Sequence, residues 1–119
     1  MQDTTKLKVA AIGVGSLGRH HARNYAELAS EGRVELVGVC DLNATTAADI
    51  AKQHNTTAFT DWRELLDKVD AVSVATTTET HCEITCAFLR KGVHVLVEKP
   101  IAMTLDEADR MIAAADSSG

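Results

Sequence analysis

Short apolar runs alternate with amphipathic stretches along the chain. The runs are rich in Val, Ile, Leu and Ala, and several are nearly continuous, which is typical of strands that helices cover on both faces. They predict five strands, at residues 7–13, 34–41, 57–59, 70–76 and 94–99. The stretches with helical periodicity predict helices at residues 16–30, 43–54, 61–67, 79–91 and 104–116. This alternation predicts an α/β fold built on a doubly wound parallel sheet.

Residues with helix-capping chemistry stand at several of the predicted boundaries. Ser16, Asn43 and Asp61 each precede a helical stretch, where a side-chain oxygen can accept a hydrogen bond from a free backbone amide. Gly92 follows another helical stretch, at a position where glycine commonly ends a helix. These residues therefore agree with the periodicity on where the helices begin and end.

The composition is that of one ordinary soluble globular domain. The 119 residues are 45% hydrophobic and 24% charged, so a second domain does not fit and disorder is not expected. A net charge of -5 without a basic stripe argues against a nucleic-acid partner. No apolar run approaches the roughly 20 residues of a membrane span, and the N-terminus does not resemble a signal peptide. Three cysteines in no disulfide pattern indicate a reducing compartment, the cytoplasm, and no metal site is expected.

The sequence GVGSLG lies between the first predicted strand and the first predicted helix. In a dinucleotide-binding turn, Gly13 permits the tight turn, Gly15 lets the backbone approach a pyrophosphate, and Gly18 lets helix and strand pack closely. The helix start, which includes Ser16 and Leu17, supplies amides and a partial positive charge. A turn that only reverses the chain is the alternative. No Gly-Lys-Ser/Thr follows it, so a triphosphate-binding loop fits poorly.

An acidic residue closes the second predicted strand. Asp41 comes 23 residues after Gly18, near the spacing of about 20 residues at which a dinucleotide fold places the acid that binds the adenosine ribose. A carboxylate accepts hydrogen bonds from both ribose hydroxyls and repels a 2′-phosphate. The next two residues, Leu42 and Asn43, are not arginines and cannot neutralise the charge of such a phosphate. The two motifs together predict a Rossmann-type fold that binds NAD in preference to NADP.

Two further segments leave strands at the carboxyl edge of the predicted sheet, where ligands bind in open α/β folds. ATTTETH, residues 75–81, follows the fourth strand, and VEKPIA, residues 97–102, ends the fifth. Glu98, Lys99 and Pro100 would thus stand beside the expected nicotinamide, where a lysine can polarise a reacting hydroxyl. A charged loop that ends a strand is the alternative interpretation.

Four segments together resemble the Gfo/Idh/MocA family, which contains glucose-fructose oxidoreductases and inositol dehydrogenases. They are GVGSLGRHHA at the first turn and helix, Asp41 at the end of the second strand, ATTTETHCEI after the fourth, and GVHVLVEKPIA around the fifth. The resemblance covers the chain from Lys8 onward. One departure is Thr77, which stands where the family usually has a proline, so the rigid φ of proline is lost.

The resemblance implies the NAD(P)-binding, N-terminal domain of an oxidoreductase, here residues 1–119, without the sixth strand and the substrate domain of the family. The implied substrate is a polyol, sugar, cyclitol or nucleotide sugar, and we expect the full-length protein to be a homo-oligomer. LGRHHARNYAEL and VLVEKPI look most like the branch that oxidises the 3-position of UDP-N-acetylglucosamine. A stand-alone, non-catalytic dinucleotide sensor is the alternative, although a sensor has no evident use for Lys99.

The resemblance also implies a role for each matching residue. The turn from Gly13 to Gly18 would hold the pyrophosphate, and Asp41 would hold the adenosine ribose. Lys99 would bind the substrate hydroxyl and act as the catalytic residue. The residues implied near the nicotinamide and its ribose are Thr76, Thr77, Thr78, His81, Glu98, Lys99 and Pro100.

Overall fold

Parallel strands alternate with helices along the chain, as the sequence pattern predicts. The computed structural model describes residues 7–15, 18–76 and 78–97. The strands are β1 (Leu7–Ile12), β2 (Val34–Cys40), β3 (Thr57–Phe59), β4 (Ala71–Val74) and β5 (His94–Val97). The described helices are α1 (Gly18–Ser30), α2 (Ala44–His54) and α3 (Thr78–Arg90), with a short 3-10 helix at Trp62–Leu65.

The five described strands form one parallel sheet in the order β3-β2-β1-β4-β5. The chain moves outward from β1 to β3 on one side and then returns to place β4 on the other side of β1. The loops after β1 and β4 therefore diverge at the carboxyl edge, and a crevice opens where the strand order reverses. The predicted doubly wound sheet is confirmed, and the glycine turn follows its central strand.

Helices cover both faces of the sheet because its strands are apolar on both sides. Along β1, Ala11 belongs to the buried cluster that joins the sheet to α1 and α2. Ala10 and Ile12 belong to the cluster on the other face, where Phe88 of α3 and Leu65 of the 3-10 helix are fully buried. These two clusters fix the ends of the strands and the helices around the crevice.

Capping residues mark the starts and ends of helices at positions that the sequence predicts. The side-chain Oδ1 of Asn43 accepts a hydrogen bond from the Thr46 amide at 3.1 Å, at the start of α2. Asp61 Oδ1 accepts one from the Arg63 amide at 3.0 Å, at the start of the 3-10 helix. Gly92 follows α3 with a φ of 78°, which glycine adopts at little steric cost. The caps of Asn43 and Asp61 lie at the carboxyl edge of the sheet, beside the crevice, whereas Gly92 lies at the opposite edge, before β5.

One element differs in type from its prediction. The predicted helix at 61–67 is a 3-10 helix of four residues, Trp62–Leu65, followed by a turn. So short a segment forms few i→i+4 hydrogen bonds, and the tighter 3-10 geometry is common in such connections. Ser16 and the predicted helix at 104–116 lie outside the described residues. Among the helices that the structure describes, none is long and apolar enough to cross a membrane.

Candidate functional site

A cleft of about 510 Å³ opens at the carboxyl edge of the sheet, beside the ends of β1, β2 and β4. Its volume lies within the range of roughly 300–1,000 Å³ that is usual for small-molecule sites. The glycine turn, the end of β2, the 3-10 helix and the start of α3 all contribute to its walls. Residues that line it include Gly13, Gly15, Asp41, Trp62, Thr76 and Thr80.

Gly13 and Gly18 shape the turn between β1 and α1. Gly13 has a φ of 85°, which few other residues adopt, and its amide donates a hydrogen bond to the Cys40 carbonyl at 2.7 Å. A Cβ on Gly13 would lie 2.6 Å from the Ala75 carbonyl oxygen, and a Cβ on Gly18 would overlap the Gly13 carbonyl oxygen. The turn is therefore tight, and the first residue of α1 packs directly against it.

Gly15 differs from these two glycines. It is exposed, it lines the cleft, and a Cβ built on it would meet no atom of the described residues within 4 Å. Its φ is also not positive, unlike that of Gly13. Neither backbone strain nor packing within the described residues therefore requires glycine here. The open space fits the reason predicted for Gly15, which is the close approach of a ligand to the backbone.

Asp41 reaches from the end of β2 to the glycine turn. Its Oδ2 accepts a hydrogen bond from the Val14 amide at 3.1 Å, and its Oδ1 accepts one from the Asn43 amide at 2.9 Å. A carboxylate offers about four acceptor sites, so both oxygens can also accept from ligand hydroxyls. Although 27 residues separate Val14 from Asp41, the structure brings the predicted ribose-binding acid and the glycine turn together.

Thr76 and Thr80 line the opposite wall of the cleft, after β4. The Thr80 hydroxyl donates a hydrogen bond to Thr76 Oγ1 at 2.7 Å. His81 is only 1% exposed, and its Nε2 lies 2.9 Å from the Thr76 carbonyl oxygen. His81 is thus placed to hold Thr76, while Thr76 itself faces the cleft.

Cys40 lies at the floor of the cleft, where β2 ends. Its side chain is 3% exposed. Burial raises the pKa of the Cys40 thiol to about 12, and the nearby carboxylates of Asp41, Asp61 and Glu64 contribute in the same direction. Because the thiolate is the reactive form, this thiol is not a nucleophile at neutral pH.

Cys82 and Cys86 lie one helical turn apart on α3 and are both buried. Their Sγ atoms are 3.8 Å apart. Within the part of the chain that the structure describes, no group of three or more His, Cys, Asp or Glu is placed to hold a metal ion. Buried thiols of this kind pack as small apolar groups.

Trp62 lines the cleft but is not among the residues expected there. Its ring centroid lies 5.9 Å from that of Phe88 and 5.4 Å from the guanidinium carbon of Arg63. Leu42 also lines the cleft and is 85% exposed. Because β3 ends at the same edge of the sheet as the other strands, the carboxyl-edge rule applied to β3 would have indicated Trp62.

Only part of the predicted site falls within the described residues. Gly13, Gly15, Asp41 and Thr76 line the cleft. Thr78 is the first residue of α3. The predicted site residues outside the described part of the chain are Ser16, Leu17, Thr77, Glu98, Lys99 and Pro100.

Comparison with known proteins gives consistent relatives. The chain is 41% identical over 109 residues to a UDP-N-acetylglucosamine 3-dehydrogenase of Acidithiobacillus ferrooxidans, a match that covers 92% of this chain and 33% of that protein. It is 36% identical over 104 residues to the glucose-6-phosphate 3-dehydrogenase of Bacillus subtilis, which covers 87% of this chain and 29% of the relative. The chain therefore spans about a third of the length of these curated relatives.

Solved structures have the same fold. The Acidithiobacillus ferrooxidans enzyme matches with a TM-score of 0.86 at 40% identity, over 95% of this chain and 36% of that one. GenD2 from gentamicin A biosynthesis, solved in complex with NAD, matches with a TM-score of 0.85 at 34% identity, over 97% of this chain and 33% of that one. The family model described as "Oxidoreductase family, NAD-binding Rossmann fold" matches residues 7–119. The chain therefore belongs to the Gfo/Idh/MocA oxidoreductase family, of which it carries the NAD-binding Rossmann domain.

Proposed function

We propose that the cleft binds NAD in an extended pose across the carboxyl edge of the sheet. The pyrophosphate lies over the glycine turn, where Gly15 leaves open space, and the adenosine ribose lies at Asp41. The nicotinamide half extends toward Thr76. The observation that carries this proposal is the hydrogen bond from the Val14 amide to Asp41 Oδ2, because it holds the carboxylate proposed to bind the ribose directly beside the open turn.

Charge supports NAD over NADP. A 2′-phosphate on the ribose would be repelled by the Asp41 carboxylate. Asp61 and Glu64 also lie near enough to the end of β2 to help raise the pKa of Cys40, and the charge of Arg63 is engaged by Asp61 at 3.8 Å. Among the described residues that line the cleft, none is a lysine or an arginine that would neutralise a phosphate.

The complete protein is proposed to be a dehydrogenase that transfers a hydride between nicotinamide and a hydroxyl of a sugar, cyclitol or nucleotide sugar. Its relatives named above act on UDP-N-acetylglucosamine and on glucose 6-phosphate, and the first of these favours a nucleotide sugar. Bound NAD supplies the hydride acceptor. Lys99 is assigned to the substrate hydroxyl, with Glu98 and Pro100 beside it. The three cysteines are free and buried, which agrees with a reducing, cytoplasmic compartment. We propose that the complete protein is a homo-oligomer.

Calorimetric titration of the chain with NAD and with NADP tests the cofactor assignment. Asp41→Ala removes two ribose hydrogen bonds and the repulsion of a 2′-phosphate together. We expect NAD binding to weaken by about 1–3 kcal/mol and NADP to bind relatively better. An unchanged NAD:NADP preference would contradict the role of Asp41, and failure of the unsubstituted chain to bind either dinucleotide would overturn the site.

NADH formation by the complete protein, assayed against polyols, sugars and UDP-sugars, tests the reaction. Lys99→Ala is expected to lower turnover by about 100-fold or more, since a positioned proton-transfer group contributes roughly that much. The melting temperature is expected to stay nearly unchanged because a lysine with the proposed substrate-binding role contributes little to a core. Normal turnover with a large loss of stability would instead make Glu98-Lys99-Pro100 a structural loop.

A further inference from the structure

We infer that Asp41 is a positioning residue for the glycine turn as well as a ligand for ribose. This inference rests on the proposed dinucleotide site and extends it. The side chain of Asp41 joins the turn after β1 to the start of α2, in addition to the backbone hydrogen bond from Gly13 to Cys40 that ties the turn to β2. Its Oδ2 accepts from Val14 at 3.1 Å, and its Oδ1 accepts from Asn43 at 2.9 Å.

The backbone of Asp41 is itself held firmly. Its amide donates a hydrogen bond to the Phe59 carbonyl at 3.1 Å, which ties the end of β2 to β3. Asn43, which Asp41 Oδ1 contacts, caps α2 through the Thr46 amide at 3.1 Å. The carboxylate is therefore fixed relative to the sheet, and the turn bonded to it inherits that fixed position.

Val14 has no helical or strand partner for its amide because it lies between β1 and α1. The residue is 1% exposed, so water has little access to it. A buried amide without an acceptor is costly, and a bond to a charged acceptor is among the stronger hydrogen bonds in proteins. The Asp41 carboxylate satisfies this amide and thereby selects one orientation of the Gly13–Val14 peptide, one residue before Gly15.

Gly15 is where the proposed site has its open space for a pyrophosphate. Loss of the Val14–Asp41 bond frees the Gly13–Val14 peptide, so the backbone that leads into Gly15 and the amides offered to the pyrophosphate lose their alignment. A substitution of Asp41 therefore acts at two places in the cofactor, the ribose that the carboxylate contacts and the pyrophosphate that it does not touch. Replacing this acid to favour NADP consequently weakens absolute affinity for both dinucleotides.

Amide hydrogen exchange of the cofactor-free chain tests the Val14–Asp41 hydrogen bond independently of cofactor binding. The Gly13 amide serves as an internal reference, because its acceptor is the Cys40 carbonyl and not Asp41. In Asp41→Ala, we expect the exchange rate of the Val14 amide to rise roughly 10- to 100-fold relative to that of Gly13. This factor corresponds to the loss of one hydrogen bond to a charged acceptor. In Asp41→Asn, whose Oδ1 can still accept one bond, the rise should be smaller. A change that is equal at both amides, or absent at Val14, overturns the inference.

The effect on the pyrophosphate is measured by comparing the two uncharged variants with two ligands. The ratio of dissociation constants, Asp41→Ala over Asp41→Asn, is determined for adenosine by NMR titration and for NAD by calorimetry. Adenosine carries the ribose but not the pyrophosphate. Both variants lose the same charge, so the ratio does not depend on the loss of charge. We expect the ratio for NAD to exceed that for adenosine by about 3- to 10-fold, the value of one ordinary hydrogen bond. Equal ratios for the two ligands overturn the inference but leave the proposed NAD site intact. Absence of NAD binding in the unsubstituted chain overturns the proposed function instead. In that case the exchange rates still show whether Asp41 holds the Val14 amide.

Discussion

The two walls of the cleft are built by different means. On the Asp41 wall, backbone amides of the glycine turn and of the loop after β2 converge on one carboxylate. On the Thr76 wall, side chains of α3 reach back to the preceding loop, the Thr80 hydroxyl to Thr76 Oγ1 and the His81 ring to the Thr76 carbonyl. The first wall depends on what glycine permits, and the second depends on how α3 packs. The two walls should therefore respond to substitution in different ways.

Substitution of Gly18 should break the Asp41 wall with the largest effect on stability. A Cβ there overlaps the Gly13 carbonyl oxygen and lies 3.2 Å from the Ala75 Cβ, so backbone must move. We expect Gly18→Ala to lower the free energy of unfolding by about 2–4 kcal/mol, as overpacking against backbone does. Urea denaturation followed by circular dichroism measures it.

Gly15→Ala is the matched control in the same turn. In the part of the chain that the structure describes, no atom lies within 4 Å of a Cβ at this position, so stability should stay within about 0.5 kcal/mol of the unsubstituted chain. The added methyl group should instead occupy the space proposed for the pyrophosphate and weaken NAD about tenfold, or about 1.4 kcal/mol. Equal stability losses in the two variants would show that Gly15 has a packing role after all.

The framework of the fold follows from local rules that the sequence displays. Apolar runs of strand length that alternate with helical stretches predict a parallel sheet. Asn43 and Asp61 stand at helix starts because their side-chain oxygens accept hydrogen bonds from free backbone amides. The type of the segment after β3 does not follow in the same way, because four residues are too few for periodicity to separate a 3-10 turn from an α-helix.

The site follows from the sequence only where a motif has fixed spacing. The glycine turn and Asp41 are found because the dinucleotide pattern prescribes their distance along the chain. The bond between Val14 and Asp41 spans 27 residues, and which backbone amide a carboxylate accepts depends on three-dimensional packing. For the same reason, spacing does not reveal that His81 is buried against Thr76 and not exposed in the cleft.

Removal of the His81 ring should weaken the Thr76 wall by an intermediate amount. His81→Leu removes the 2.9 Å contact to the Thr76 carbonyl in a partly buried setting, which should cost about 1–3 kcal/mol of unfolding free energy. NAD affinity should fall only a few-fold, since Asp41 and the glycine turn are untouched. Denaturation and calorimetry on the same preparation give both quantities.

His81→Gln provides the rescue for this variant. Its side-chain amide can donate a hydrogen bond to the Thr76 carbonyl, so part of the stability and affinity lost in His81→Leu should return. The amide of Val14 should exchange at the same rate in both variants if the two walls are independent. Faster exchange at Val14 in His81→Leu would mean that the walls are coupled through β1 and β4.

The smallest expected effect concerns Cys40, which lies at the floor between the two walls. Burial, with the carboxylates of Asp41, Asp61 and Glu64, raises the pKa of its thiol from 9.0 to about 12. The folded state therefore keeps a proton that the unfolded state releases above pH 9, so stability should fall as pH rises from about 9 toward 12. Cys40→Ala should show a shallower decline in denaturation midpoint over this interval, although Tyr25, whose pKa is also raised by burial, adds its own decline in both proteins. Parallel declines in the two proteins would mean that the thiol ionises freely in the folded state and that the floor of the cleft is open to water.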